Sequence, residues 1–335
     1  MINDYFACEY VNLLTSRNTN EIGSFRLSKI WRFLSAYFRV FLKLLTKKYD
    51  LCYVALAFKS GFLKDAPFVL LCKLFRRKIV IHLHGKGASE GAKKDYYRRL
   101  LYLTFNNTKV ILLSWLLYPD IAHYVRKEDV FICPNGTPDL GYEFHIRHGG
   151  KPRLLFLSNL IESKGVIVLL DALRILVDRG CLFNCVFVGG ESKDIDAKRF
   201  YREVSKRSLD NFISYEGGKF GKEKENIFVQ SDIFVFPTYY DNECFPLVLL
   251  EAMQYGLPIV TTEEGAIADI VKDGVNGFIS DKENAKSLAD KLMVLIADND
   301  LRLKIGKTNY SKYQAEYTIT KFEQNLHNIL SSIIE

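Results

Sequence analysis

"DIFVFPTYYDNECFPLVLLEAMQYGLPIVTT", residues 232–262, reads as strand, loop, helix and strand in immediate succession. The run "DIFVFPT" (232–238) is apolar without alternation, as expected of a strand covered on both faces. "FPLVLLEAMQYG" (245–256) has a helix's length, a proline placed for its first turn and a glycine to end it. "LPIVTT" (257–262) is again continuous and apolar. Outward from this unit the rhythm repeats. Strands are predicted at 153–160, 183–190 and 212–218, with helices at 164–180, 194–208 and 222–231. Three more helices follow near 284–297, 299–314 and 319–333. Buried strands alternating with helices specify α/β architecture with a doubly wound parallel sheet.

The first half carries the same alternation less cleanly. Strands are predicted at 7–14, 51–57, 78–85, 108–114 and 129–136, and helices at about 25–48, 62–76 and 88–105. A length of 335 residues exceeds one ordinary core. The polar, aperiodic "YEFHIRHGGKP" (142–152) is the natural boundary between two domains. Two such domains are expected to bind ligand in a cleft outside the carboxyl ends of their strands.

Seven cysteines without a C-x-x-C pair point to reduced thiols, not to a disulfide frame or a zinc site. No apolar run approaches the roughly 18 residues that a bilayer demands, and no signal peptide is visible. A cytoplasmic protein is expected. Residues 1–150 carry 23 Lys/Arg against 12 Asp/Glu, a net of +11, whereas residues 151–335 carry 23 against 27, a net of −4. The first half is therefore prepared to meet an anionic surface. Nucleic acid is disfavoured, because no recognisable binding module accompanies the charge.

Two carboxylates frame the helix at 245–256: Glu243 just before it and Glu251 inside it. A helix N-terminus offers open N–H donors to a phosphate. Glu251, about five residues in, lies roughly 7–8 Å further along at about 1.5 Å per residue. A carboxylate there can accept both hydroxyls of a vicinal diol such as a ribose. An ordinary capping carboxylate and a solvated helix residue are the competing readings. The apolar neighbours Leu247 to Leu250, Ala252 and Met253 argue against bulk water around Glu251. Two Asp-x-Asp triplets, 194–196 and 298–300, are explained as helix-start and turn residues, and no cluster has metal-ligand spacing.

The segment "FVFPTYYDNECFPLVLLEAMQYGLPIVTTEEGAIADIVKDGVNGFI" resembles the donor-binding core of the family-4 retaining glycosyltransferases, which have the GT-B fold and an E-x7-E motif. "LLFLSNLIESKGVIVLLDAL" is similar to their first C-domain strand and phosphate loop. "VFICPNGT" resembles the segment that closes their N-domain, and "VIHLHGKG" their acceptor-side histidine loop. The resemblance implies an acceptor-side domain at 1–145, a nucleotide-sugar domain at 151–317 and a C-terminal helix at 318–335 that packs back toward the first domain. It implies that Glu251 holds the ribose hydroxyls and Glu243 the sugar ring. The N–H groups of Phe245, of Leu247 next to Pro246 and of the helix tip would take the distal phosphate. Lys164 would neutralise the diphosphate, Asn159 and Gly190 would line the donor site, and His84 would reach the sugar or diphosphate. Asn159 stands where the family usually has an arginine. The family's first strand and Gly-Gly loop have no counterpart before "YVNLLTSRN", so the N-terminal domain is expected to lack them.

Arg26, Lys29, Arg32, Arg39, Lys43 and Lys47 are spaced to share one side of a helix, opposite Ile30, Leu34 and Phe41. "KKDYYRRLLYL" (93–103) mixes Lys93, Lys94, Arg98 and Arg99 with three tyrosines. That combination suits peripheral contact with an anionic membrane, here the inner face of the plasma membrane, or with the acceptor. The expectation is a retaining transferase that moves a sugar from a nucleotide-sugar to a lipid-linked or polysaccharide acceptor, with no metal or other cofactor. A catalytically impaired nucleotide-sugar-binding homologue and a nucleotide-sugar epimerase of the same fold are the alternatives.

Overall fold

The computed structural model describes residues 5–13, 27–144 and 150–335. The chain divides into two compact units, residues 1–134 with 323–335, and residues 135–322.

In the first unit, α1 (Leu27–Thr46) leads to β1 (Cys52–Leu56), α2 (Ser60–Leu74), β2 (Ile79–Leu83), α3 (Ala88–Gly91), α4 (Asp95–Phe105), β3 (Lys109–Leu112) and β4 (Val130–Ile132). The four strands are parallel and adjacent in chain order. Every residue of β2 is buried, which is why its sequence shows no alternation. Phe62, Ala66 and Val69 of α2 pack with Ile79, Ile81 and Leu83 of β2 to form the core of this unit.

Two expectations for this unit are corrected. Residues 7–13 of the predicted strand at 7–14 form no strand. Glu9 instead accepts hydrogen bonds from Lys43, Lys47 and the Tyr49 hydroxyl, and these hold its carboxyl down at about pKa 2. Three donors at one carboxylate outweigh the apolar pull of a short run that contains a charge. The helix predicted at 88–105 is two helices. Lys94 takes extended backbone (φ −100°, ψ 125°) between them, and the break turns Tyr97 inward, 4.8 Å from the Phe62 ring. Of the predicted helix at 25–48, residues 25 and 26, and with them Arg26, lie outside the described residues.

The second unit runs β5 (Arg153–Leu157), α5 (Val166–Asp178), β6 (Asn184–Val188), α6 (Ala197–Lys206), β7 (Ile213–Tyr215), α7 (Gly221–Val229), β8 (Ile233–Phe236), α8 (Leu247–Gln254), β9 (Ile259–Thr262), α9 (Ile267–Ile270), β10 (Gly277–Ser280), α10 (Ala285–Ala297) and α11 (Asn299–Lys312). The last helix, α12 (Ile319–Ile334), begins in this unit and ends in the first. Its six strands are all parallel in the order β10-β9-β8-β5-β6-β7. The order reverses between β5 and β8, which makes their carboxyl ends the switch point where such sheets bind ligands.

Phe156, Phe187, Val235 and Val260 fill the sheet's core against α5 and α10. The sequence reading did not single out β10, because four residues are too few to display a period. Asp196 and Asp298, of the two acidic triplets, are helix caps. They accept from Arg199 N (2.6 Å) and Leu301 N (2.9 Å).

Candidate functional site

Two loops leave the switch point side by side. The first follows β5 through Ser158, Asn159 and a single tight turn, Glu162–Lys164, to Gly165, which is left-handed at φ 87°. The second follows β8 through Pro237 and Thr238 to Glu243 and α8. They are stitched together by Tyr239 N donating to Ser163 O at 2.8 Å. A Cβ at position 165 would lie 2.2 Å from the Pro237 carbonyl oxygen, so both the φ and the approach require glycine there. A third loop, after β9, joins the same cluster, with Ala266 N donating to Cys244 O at 2.7 Å.

These ties place Lys164 Nζ on the Glu243 carboxylate, a bond between side chains only 14% and 11% exposed. Nζ also lies 4.5 Å from the Tyr240 ring centroid and 5.5 Å from that of Phe236. Taking a lysine and a glutamate this far out of water is costly unless each neutralises the other. Unit charge of both signs is thus held at the mouth of the switch point.

Pro246 is the residue before α8 and has extended backbone, so the helix begins at Leu247, two residues later than the sequence suggests. Its ring fixes φ at −69° but leaves ψ at 113°, outside the helical range. The N–H groups of the first turn of α8 have no helical carbonyl four positions back; Leu249 N donates to Pro246 O at 3.1 Å instead, and Leu247 and Val248 stand at the very tip. Phe245 and Pro246 are buried and Leu247 is exposed, and Phe245 packs edge-on against Tyr317 at 6.2 Å.

Glu251 lies one turn into α8. It accepts from Lys224 Nζ of α7 at 2.7 Å, and both side chains remain partly exposed. Asn159 uses its Oδ1 to accept from Gly190 N at 3.1 Å, which links the ends of β5 and β6. Neither Lys224 nor Tyr240 was singled out by sequence reasoning. Both meet their partners across the fold, and a lysine within "KEKEN" gives no local sign of that.

In the first unit His84 follows β2 and is exposed. Its ring centroid lies 4.1 Å from that of His82, with the planes tilted by 34°, and His82 is fully buried with Nδ1 2.6 Å from the Tyr53 hydroxyl. Burial, and next the nearby His84, push the His82 pKa down to about 3. Asp120, also missed, accepts from the N–H groups of Gly87, Ala88 and Ser89 at 2.7–3.0 Å and so closes the loop after His84.

The depressed His82 pKa gives a sign for acid stability. Below the ordinary value of 6.5 the unfolded chain takes up a proton that the folded chain refuses until about pH 3. Stability therefore falls with decreasing pH through that window, by at most about 1.4 kcal/mol per pH unit. Urea unfolding at about pH 7 and about pH 5 is expected to show a smaller loss for His82→Gln than for the native chain. Equal losses would assign the acid sensitivity elsewhere.

Lys93 and Arg98 pair at 2.5 Å with the equally exposed Glu90 and Asp95, and Lys94 and Arg99 are likewise exposed, so all four are surface charges. Among the described residues no group of three or more His, Cys, Asp or Glu is arranged to hold a metal ion, and no helix is long and apolar enough to cross a membrane.

Residues 141–312 match the family described as glycosyl transferases group 1. The chain belongs to that family. Among curated relatives of this group 1 chain, the amylovoran biosynthesis glycosyltransferase AmsK of Erwinia amylovora is 29% identical over 67% of the chain and 56% of AmsK. The lipopolysaccharide 1,2-N-acetylglucosaminetransferase of Salmonella typhimurium is 22% identical over 75% of the chain and 67% of that protein. The chain thus spans between about half and two thirds of these relatives' lengths.

Anabaena Alr3699/HepE, solved in complex with UDP, superposes with a TM-score of 0.73 at 19% identity, over 89% of this chain and 82% of that one. A Rickettsia africae glycosyltransferase superposes at 0.75 and 15% identity, over 93% and 84%. The fold is GT-B, with two Rossmann-like parallel sheets.

Proposed function

We propose that this group 1 chain is a retaining glycosyltransferase that moves a sugar from a nucleotide-sugar to a lipid-linked or saccharide acceptor of a surface glycan. The observation that carries the reading is the Lys164–Glu243 pair at the mouth of the β5/β8 switch point, with Glu251 one turn further along α8. Residues 151–317 form the donor side, residues 1–145 the acceptor side, and 318–335 a helix returning to the latter. Relatives named for amylovoran and capsular polysaccharide biosynthesis, and a fold neighbour solved with UDP-glucose, support a nucleotide-sugar substrate.

In this reading Lys164 turns from Glu243 toward the incoming diphosphate, and Glu243 is released to accept hydrogen bonds from the sugar hydroxyls. The N–H groups at Leu247 and Val248 take the distal phosphate. Glu251 exchanges Lys224 for the ribose diol, and Gly190, beside Asn159, lines the donor site. The bond from the anomeric carbon to the diphosphate oxygen breaks and a bond to the acceptor oxygen forms on the same face. The departing phosphate oxygen receives the acceptor's hydroxyl proton. Lys164 stabilises the charge that develops on the diphosphate, and His84 hydrogen-bonds the sugar or diphosphate from the acceptor side. No metal or other cofactor enters the scheme.

A thermal-shift series with UDP- and GDP-linked sugars tests the donor class. One of them is expected to raise the melting temperature, with free nucleotide giving a smaller rise. No shift from any nucleotide or nucleotide-sugar would overturn the assignment. Asn159 spends its acceptor on Gly190 and brings no positive charge, which favours the impaired homologue as a second reading. Donor binding without release of nucleotide diphosphate in the presence of candidate acceptors would select it, whereas isomerisation of the donor alone would select the epimerase.

A further inference from the structure

The Lys164 ammonium stands against two aromatic rings as well as a carboxylate. Its Nζ lies 4.5 Å from the Tyr240 ring centroid and 5.5 Å from that of Phe236. Both distances fall within the roughly 6 Å over which the negative face of a ring attracts a cation. Phe236 is the last residue of β8 and is buried, so the sheet sets its ring. Tyr240 lies in the loop beyond and is only half-buried.

The backbone fixes Tyr240 from both sides. Its N–H donates to Thr238 Oγ1 at 3.2 Å, and its carbonyl accepts from Glu243 N at 2.8 Å. Thr238 is held in turn. Its carbonyl accepts from the Thr262 hydroxyl of β9, and its own hydroxyl donates to Ser163 O at 3.4 Å, next to Lys164. One residue therefore touches both members of the pair, Lys164 through its ring and Glu243 through its carbonyl.

A lysine head on a flexible four-carbon stem is a loosely directed charge. Glu243 directs it while the two are paired, but in the scheme above the donor sugar takes Glu243 away. A ring differs from a carboxylate in what it does at that moment. It attracts the ammonium without cancelling its charge, and it leaves N–H donors for the diphosphate oxygens.

We propose that Tyr240 is a positioning residue whose ring keeps the Lys164 ammonium at the switch point as it passes from Glu243 to the donor diphosphate. Phe236 is the fixed wall behind the same ammonium. Tyr240 itself touches no reacting atom. The inference rests on the transferase reading and deepens the part that Lys164 plays in it.

Calorimetry with UDP and with GDP tests this without an acceptor. Tyr240→Leu removes the ring and is expected to weaken binding of the nucleotide by about tenfold. Tyr240→Phe keeps the ring face and is expected to stay within about twofold of the native chain. 4-Cyanophenylalanine at position 240 keeps a ring there but draws electrons from its face, and is expected to bind as weakly as the leucine variant. In a Lys164→Ala background Tyr240→Leu is expected to cost nothing further, because the cation that the ring serves is gone. If the cyano ring bound as well as the phenylalanine ring, Tyr240 would be a filler and the inference would fall. A Tyr240→Leu chain that binds like the native one overturns it too, as does a loss that persists undiminished without Lys164. Each of these outcomes leaves the transferase reading standing. A native chain that binds neither UDP nor GDP removes that reading, and this inference with it.

Discussion

Lys164→Ala is expected to lower kcat for sugar transfer by about 10²- to 10³-fold, the usual cost of removing one preorganised donor from a developing oxyanion. The same substitution strips Glu243 of its counter-charge in a setting where that carboxylate is only 11% exposed. Breaking a buried pair on one side costs about 3–5 kcal/mol in the limit of full burial, so a drop in melting temperature is expected too. A pairing variant separates the two effects. Lys164→Met with Glu243→Gln leaves no lone charge, and its melting temperature is expected to return toward that of the native chain while turnover stays lost. Turnover that recovered together with stability would show that Lys164 serves the fold alone. Lys164→Arg is expected to keep part of the activity, because the charge remains but the rings of Tyr240 and Phe236 beside Nζ leave little room for a broader head group.

The ease with which this region could be read in the sequence has a physical cause. β8 and β9 are buried on both faces, so their apolar runs are continuous and their ends are marked by Pro237 and Pro258. The Glu243–Glu251 spacing was also visible, because a helix converts sequence separation directly into distance. What holds these carboxylates was not. Lys164 is 79 positions from Glu243, and Lys224 is 27 from Glu251. The first pair meets because β5 and β8 are neighbours in the sheet, and the second because α7 and α8, on either side of β8 in sequence, come together in the fold.

The first unit was harder, for a related reason. The run at 7–14 has the composition of a strand, but Glu9 is drawn to Lys43, Lys47 and Tyr49, three groups more than thirty residues away. The break before α4 is set by the burial of Tyr97 on Phe62, a contact that helix propensity does not contain. On α1 the spacing of the basic residues is legible, but which apolar residues are packed is decided by the contacts of Phe33, Tyr37 and Phe41 with α2 and the turn after it, which leave seven others exposed. Periodicity says that a helix has an apolar face, but not how much of that face the protein itself covers.

Glu251→Ala is expected to weaken nucleotide-sugar binding by about 100-fold, since two hydrogen bonds to a charged acceptor contribute roughly 3 kcal/mol together. Lys224 makes the measurement decisive. It donates to Glu251 at 2.7 Å from a partly exposed position, and in that setting an ion pair contributes only about 0–1 kcal/mol. Lys224→Ala is therefore expected to change donor affinity by no more than about fivefold. The double variant is expected to match Glu251→Ala alone, because with the carboxylate gone the lysine has nothing left to compete for. Calorimetry with the donor found by thermal shift supplies all three values. Should Lys224→Ala cost as much as Glu251→Ala, the pair would be a strut between α7 and α8 and the ribose would have to be held elsewhere. If Glu251→Ala bound the donor unchanged, that result alone would remove Glu251 from the site.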